Sequence, residues 1–174
     1  PYTFNAAPFL ADPMSAQQGY VTAEPFAIRR EGGFDPVVLL MADAGYDSYS
    51  TLIQTRAELI EEQPELVQAF VDASILGWVD YLHGDPAPGN ALILEANPDM
   101  TEAQIAYSIE AMKRYGIVES GDALELGVGA MTEARWEHFF EAAVGWGAVD
   151  PELPWQDGYT LAFVNRKVGS ELRP

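Results

Sequence analysis

The chain has 174 residues, 48% of them apolar and 11% aromatic, enough to fill the core of one domain or slightly more. Nine basic residues against 27 acidic ones leave a formal charge of −18, which repels nucleic acid and anionic membranes and argues against both as partners. The absence of cysteine excludes disulfides, thiol catalysis and thiolate metal sites together.

No apolar run approaches the roughly 18–20 residues that span a bilayer. The sequence opens at Pro1 without a visible signal peptide, so it reads as a piece of a longer precursor. The acidic residues are spread along the chain, the pattern of a solvated surface.

In chain order, Tyr20–Glu24 is a short β-prone run between Gly19 and Pro25. Phe26–Glu31 reads as a short helix closed by Gly32-Gly33. The continuous apolar run Val37–Ala42 has the character of a strand buried on both faces. A polar loop, Asp43–Ser50, follows it, and Thr51–Thr55 reads as a second strand.

From about residue 57 the pattern turns helical. Pro64 suits a first turn, and Val67, Phe70, Val71, Ser74, Ile75, Trp78, Val79 and Leu82 recur at helical spacing before Gly84. A shorter helix is expected through Leu92–Leu94. Thr101 with Gln104 forms a capping-box signature, and Gly116 ends the helix it opens. The stretch from Ser120 to Ala130 is irregular. Thr132 caps a last helix carrying Trp136, Phe139, Phe140, Ala143 and Val144, and Tyr159–Val164 is a short apolar segment. Few strands early and many helices late make a poor sheet on their own.

Catalytic signatures are missing. His83 and His138 have no metal-ligand spacing and read as a helix-end cation and a core or surface residue. No nucleophile elbow, phosphate loop or dinucleotide fingerprint occurs. Neither a cofactor nor a metal site is therefore expected.

Two places carry polar chemistry. Glu24 sits between a β-prone run and a proline. It is either a helix N-terminal acid favoured by the dipole or a carboxylate that accepts hydrogen bonds from amino or amidine-like groups. The loop Asp43–Ser50 holds two tyrosines, two aspartates and two serines. It is either a structural turn or a binding loop, its tyrosines suited to stacking and orienting a small ring.

The segments Gln17–Phe26 and Val38–Ser50, with Pro64–Ser74 after them, resemble the ABC-transporter solute-binding proteins that take nitrate, sulfonates, taurine and thiamine-pyrimidine precursors. The resemblance spans about residues 10–165. It implies an α/β, periplasmic-binding-protein type II fold, incomplete and predominantly helical here, whose two lobes close on a ligand like a hinge. Residues 1–42 would end lobe two and cross over, and residues 43–174 would be the helical C-terminal part of lobe one. By the same resemblance Tyr20, Thr22 and Glu24 contact a ligand ring, and Tyr46, Asp47 and Tyr49 border the cleft.

The expected function is non-catalytic capture of a small planar nitrogenous solute for an ABC permease, in the periplasm or on a lipid anchor outside the cytoplasmic membrane. An anion would prefer cationic donors, and only Arg29 and Arg30 stand near Glu24. A pyrimidine-forming enzyme of thiamine synthesis shares the fold but uses iron and a cysteine-rich motif, which a cysteine-free chain lacks. A sensory or adaptor module is the remaining rival. The intact protein is expected to be a monomer, with a strand-exchanged dimer open to the fragment through its exposed edges.

Overall fold

Four helices start with a proline in the first turn, where its missing N–H leaves no backbone donor unpaired. They are α1 (Ala7–Ala11), α2 (Glu24–Gly32), α4 (Pro64–His83) and α5 (Ala87–Ala96). Two more are capped by threonines that accept a hydrogen bond from the third residue on. Thr101 Oγ1 takes Gln104 N–H at 3.2 Å to open α6 (Glu102–Arg114), and Thr132 Oγ1 takes Arg135 N–H at 3.4 Å to open α8 (Glu133–Gly145). Short helices α3 (Ala57–Glu62) and α7 (Ala123–Leu126) complete the set, in a computed structural model that describes residues 5–173.

The chain divides into two compact units. One comprises residues through Leu39 with Pro86–Ile117 and holds α1, α2, α5 and α6. The other comprises Leu40–Asp85 with the residues from Val118 on and holds α3, α4, α7 and α8.

In the first unit the Val21 and Thr22 carbonyls dock on α6. Tyr107 Oη–H donates to Val21 O at 3.2 Å, while Gln104 Nε2 and Ser108 Oγ donate to Thr22 O at 3.2 and 2.8 Å. Partial burial pushes the Tyr107 hydroxyl above its ordinary pKa, so it stays a neutral donor across the physiological range. The ring of Tyr107 also lies 5.5 Å from that of Phe26 on α2. At its far end α2 stops in a left-handed Gly33 (φ +73°), whose N–H donates to Arg29 O.

The second unit is organised on α4. Val67, Val71, Ile75 and Val79 form a buried seam with Val128 and Phe163, flanked by Leu59, Ile60, Val118 and Val168. Val79 retains 1% of its surface. The C-terminal segment reaches this core because Gly127 has no Cβ. A side chain there would meet Lys167 Cα at 2.8 Å, and its φ of +97° suits glycine alone. Close approach lets Lys167 N–H donate to Leu126 O at 3.2 Å and Gln68 Nε2 donate to Phe163 O at 3.2 Å. At the end of α4, Glu119 lies between His83 (Nε2 to Oε2, 2.7 Å) and Arg173 (Nε to Oε1, 2.9 Å).

Two expectations from the sequence are corrected. No strand forms among the described residues, although Val37–Ala42 and Thr51–Thr55 were expected as strands; the described fold is mostly helical, as expected of this part of the chain. Val37 and Leu39 are 88% and 86% exposed, and Met41–Ala44 turns into a 3-10 helix. A strand exists only as one side of a ladder, and no described residue pairs with the backbone of Val37–Leu39 or Leu52–Thr55. The other correction concerns α4. Phe70 and Trp78 belong to the apolar periodicity but not to the core, being 61% and 43% exposed.

Ile75→Ala removes buried methylenes from the centre of the α4 seam. It should lower unfolding stability by about 2–5 kcal/mol in urea titration. A loss under about 1 kcal/mol would place the core elsewhere.

Candidate functional site

The six residues singled out from the sequence fall into two groups of three, one in each unit. In the first unit, Glu24 occupies the first turn of α2, and Glu24 Oε2 accepts the Tyr20 N–H at 2.5 Å. This acid thus closes the turn that precedes its own helix, and the positive end of that helix favours its charge. The fold-back depends on Gly19. A Cβ there would lie 2.8 Å from Glu24 Cγ and 2.9 Å from Glu24 Cβ. Tyr20 leaves its ring mostly in solvent, and Thr22 contributes its carbonyl to α6. Nearby, Arg29 is ion-paired to Asp35 and Arg30 to Glu31, all on the surface.

In the second unit the loop from Asp43 to Ser50 is fastened to α8. Tyr49 Oη–H donates to Asp122 Oδ2 at 3.2 Å, and Tyr49 Oη accepts the Thr132 N–H at 2.8 Å. Thr132 Oγ1–H donates to the same Asp122 oxygen at 2.9 Å. The Arg135 guanidinium lies 4.4 Å from the centre of the Tyr49 ring, and Arg135 Nε–H donates to Asp47 O at 2.9 Å. The Tyr49 hydroxyl both donates and accepts, and its ring meets Arg135 on one side and Trp136 at 5.5 Å. Tyr49 is therefore a clamp.

The clamp leaves its neighbours on the loop with chemistry to offer. Tyr46 is half-exposed, with its ring stacked on Trp146 at 5.7 Å and edge-on to Phe139 at 5.0 Å. Asp47 Oδ1 is buried without a hydrogen-bond partner among the described residues, and His138 Nε2 lies 4.0 Å away. Trp136 Nε1 is a buried donor in the same condition. Along α8 the rings of Trp136, Tyr159, Trp155 and Phe140 succeed one another at 4.9, 6.0 and 5.7 Å, close to parallel. Partial burial, then the carboxylates of Glu133 and Glu137, hold the Tyr159 hydroxyl above its ordinary pKa.

Asp122, Arg135 and Trp146 are the participants that sequence reading missed. Thr132 was legible as a cap, but nothing local to Asp122 or Arg135 announces a partner on a loop more than seventy residues away. No group of three or more His, Cys, Asp or Glu among the described residues is arranged to hold a metal ion.

The family model described as NMT1/THI5 like matches residues 2–88, half of the chain, and the chain belongs to that family. The family consists mostly of periplasmic binding proteins, so membership implies a solute-binding role in ABC transport, alongside a permease. No curated protein and no solved structure matches the chain. No helix among the described residues is long and apolar enough to cross a membrane.

Tyr49→Phe removes a hydroxyl that satisfies Thr132 N–H and Asp122 together. It should cost about 1–3 kcal/mol in urea titration, whereas a change within about 0.5 kcal/mol would deny the clamp. Gly19→Ala should displace the Glu24 side chain and destabilise the protein by about 0.5–2 kcal/mol, the usual loss for a helix N-terminal contact. Combined with Glu24→Gln it should add little, since both changes break one contact.

Proposed function

We propose that the protein captures a small, planar, nitrogen-bearing solute of the pyrimidine type and delivers it to an ABC permease without chemical change. The carrying observation is the division of labour on the loop at Asp43–Ser50. Tyr49 spends its polar atoms in fixing the loop, while Tyr46 is half-exposed and Asp47 Oδ1 keeps an unfilled acceptor on a fixed backbone. An aromatic face beside a carboxylate oxygen that lacks a donor suits a flat ring bearing N–H groups. Restriction of the loop before binding reduces the ordering entropy that binding must offset.

Charge supports the same preference. A chain of charge −18 repels sulfonates and nitrate at long range, and the two arginines nearest Glu24 are engaged with Asp35 and Glu31. Tyr20, Thr22 and Glu24 remain in this reading as ring contacts, with Glu24 as the second carboxylate acceptor. Location in the periplasm, or on a lipid anchor outside the cytoplasmic membrane, follows from the same assignment. So does the type II α/β fold, in which residues 1–42 end lobe two and residues 43–174 belong to lobe one. Val37–Leu39 and Leu52–Thr55 have no backbone hydrogen-bond partners among the described residues, which is compatible with this reading.

A thermal-shift panel of aminopyrimidines, nucleobases, taurine, alkanesulfonates and nitrate checks the proposal. An aminopyrimidine at about 100 times its Kd should stabilise the protein by about 2.7 kcal/mol. Tyr46→Ala and Asp47→Asn should each abolish the shift, and Glu24→Gln should weaken it. A shift confined to sulfonates or nitrate would remove the ring-binding role from these residues. No shift with any compound would contradict capture of these solutes.

A further inference from the structure

Three residues of α8 meet the loop at Asp43–Ser50 from one face of the helix. Arg135, His138 and Phe139 stand three and four apart in sequence, which makes them neighbours on the helix surface. Arg135 Nε–H holds the Asp47 carbonyl at 2.9 Å, and the Phe139 ring meets the Tyr46 ring edge-on at 5.0 Å. His138, set between those two contacts, faces the Asp47 carboxylate with its Nε2 4.0 Å from Oδ1. That gap is too wide for a hydrogen bond, whose donor and acceptor stand about 2.7–3.2 Å apart. No hydrogen bond to His138 forms among the described residues. Neither side chain is packed away as core, Asp47 being 39% exposed and His138 62%.

Given solute capture by this loop, we infer that His138 and Asp47 together read one edge of the ring, an edge that carries an amino group beside a ring nitrogen. An ionised carboxylate only accepts, so Asp47 takes the amino N–H. An imidazole nitrogen that carries a proton donates, so His138 Nε2 calls for an acceptor next to that amino group. The amino and ring nitrogens of such an amidine edge are two bonds apart, about 2.3 Å. Protein atoms 4.0 Å apart reach that edge by two nearly parallel hydrogen bonds, each leaning slightly inward. Direct pairing of the two side chains would leave the edge nothing to bind.

The ligand class narrows accordingly. A 2- or 4-aminopyrimidine presents the required donor and acceptor side by side. A 5-aminopyrimidine has carbon on either side of its amino group and offers Asp47 a donor but His138 nothing. Sulfonates and nitrate carry acceptors alone and would bring oxygen against the Asp47 carboxylate. His138 is thus the residue that determines which isomer is taken.

Isothermal titration of the 174-residue chain with 4-aminopyrimidine and with 5-aminopyrimidine tests this. The two isomers share ring, size and substituent and differ in what flanks the amino group. The expected result is about tenfold tighter binding of the 4-amino isomer, the consequence of one hydrogen bond made or left unmade in the site. His138→Ala should reduce that preference to within about twofold, with circular dichroism unchanged because the side chain is exposed. His138→Gln keeps an N–H donor and should retain part of the preference. Equal binding of both isomers by the unmodified chain overturns the inference and leaves solute capture standing. So does a His138→Ala variant that keeps the full preference. Binding of neither isomer overturns the inference together with capture of a pyrimidine-type solute.

Discussion

The second unit depends on one seam of branched side chains. Val67, Val71, Ile75 and Val79 align on a helix of 20 residues, about 30 Å long, and Val128 and Phe163 arrive from the far end of the chain to cover them. Neither Val128 nor Phe163 lies in a long helix of its own. Gly127 brings the C-terminal segment within hydrogen-bonding distance, and the Glu119 contacts to His83 and Arg173 hold its end.

The polar loop at Asp43–Ser50 is held by α8 and Asp122. Thr132 caps the helix with its hydroxyl oxygen and gives its N–H to Tyr49, so a local helix signal and a long-range contact share one residue. Asp122 accepts from both hydroxyls. Arg135, one turn on, lies over the Tyr49 ring and holds the Asp47 carbonyl. The Asp47 backbone is thus fixed, while its Oδ1 is buried without a hydrogen-bond partner among the described residues.

What was legible in the sequence followed the range of the physics involved. Proline at Pro64, the threonine caps at Thr101 and Thr132, and the glycine stop at Gly33 act within a turn, and each lies where the pattern placed it. The capping box at Thr101 was only half legible, because the Gln104 side chain reaches to Thr22 instead of back to its cap. Val37–Ala42 carries strand composition, but composition cannot supply a ladder. On α4 the periodicity marked apolar positions without telling a buried stripe from an exposed one, since both sides of the helix carry it. The Asp122 and Arg135 contacts join residues 73 and 88 apart in sequence, beyond any local signal.

Solute capture by the loop at Asp43–Ser50 is most directly tested by a 1H–15N correlation titration of the intact chain with an aminopyrimidine. Saturable shifts concentrated at Tyr46, Asp47 and the Trp136 and Trp146 indole N–H groups are the predicted result. A titration that leaves these signals unmoved while shifting others, or that moves none, would contradict the assignment of this loop to the ligand.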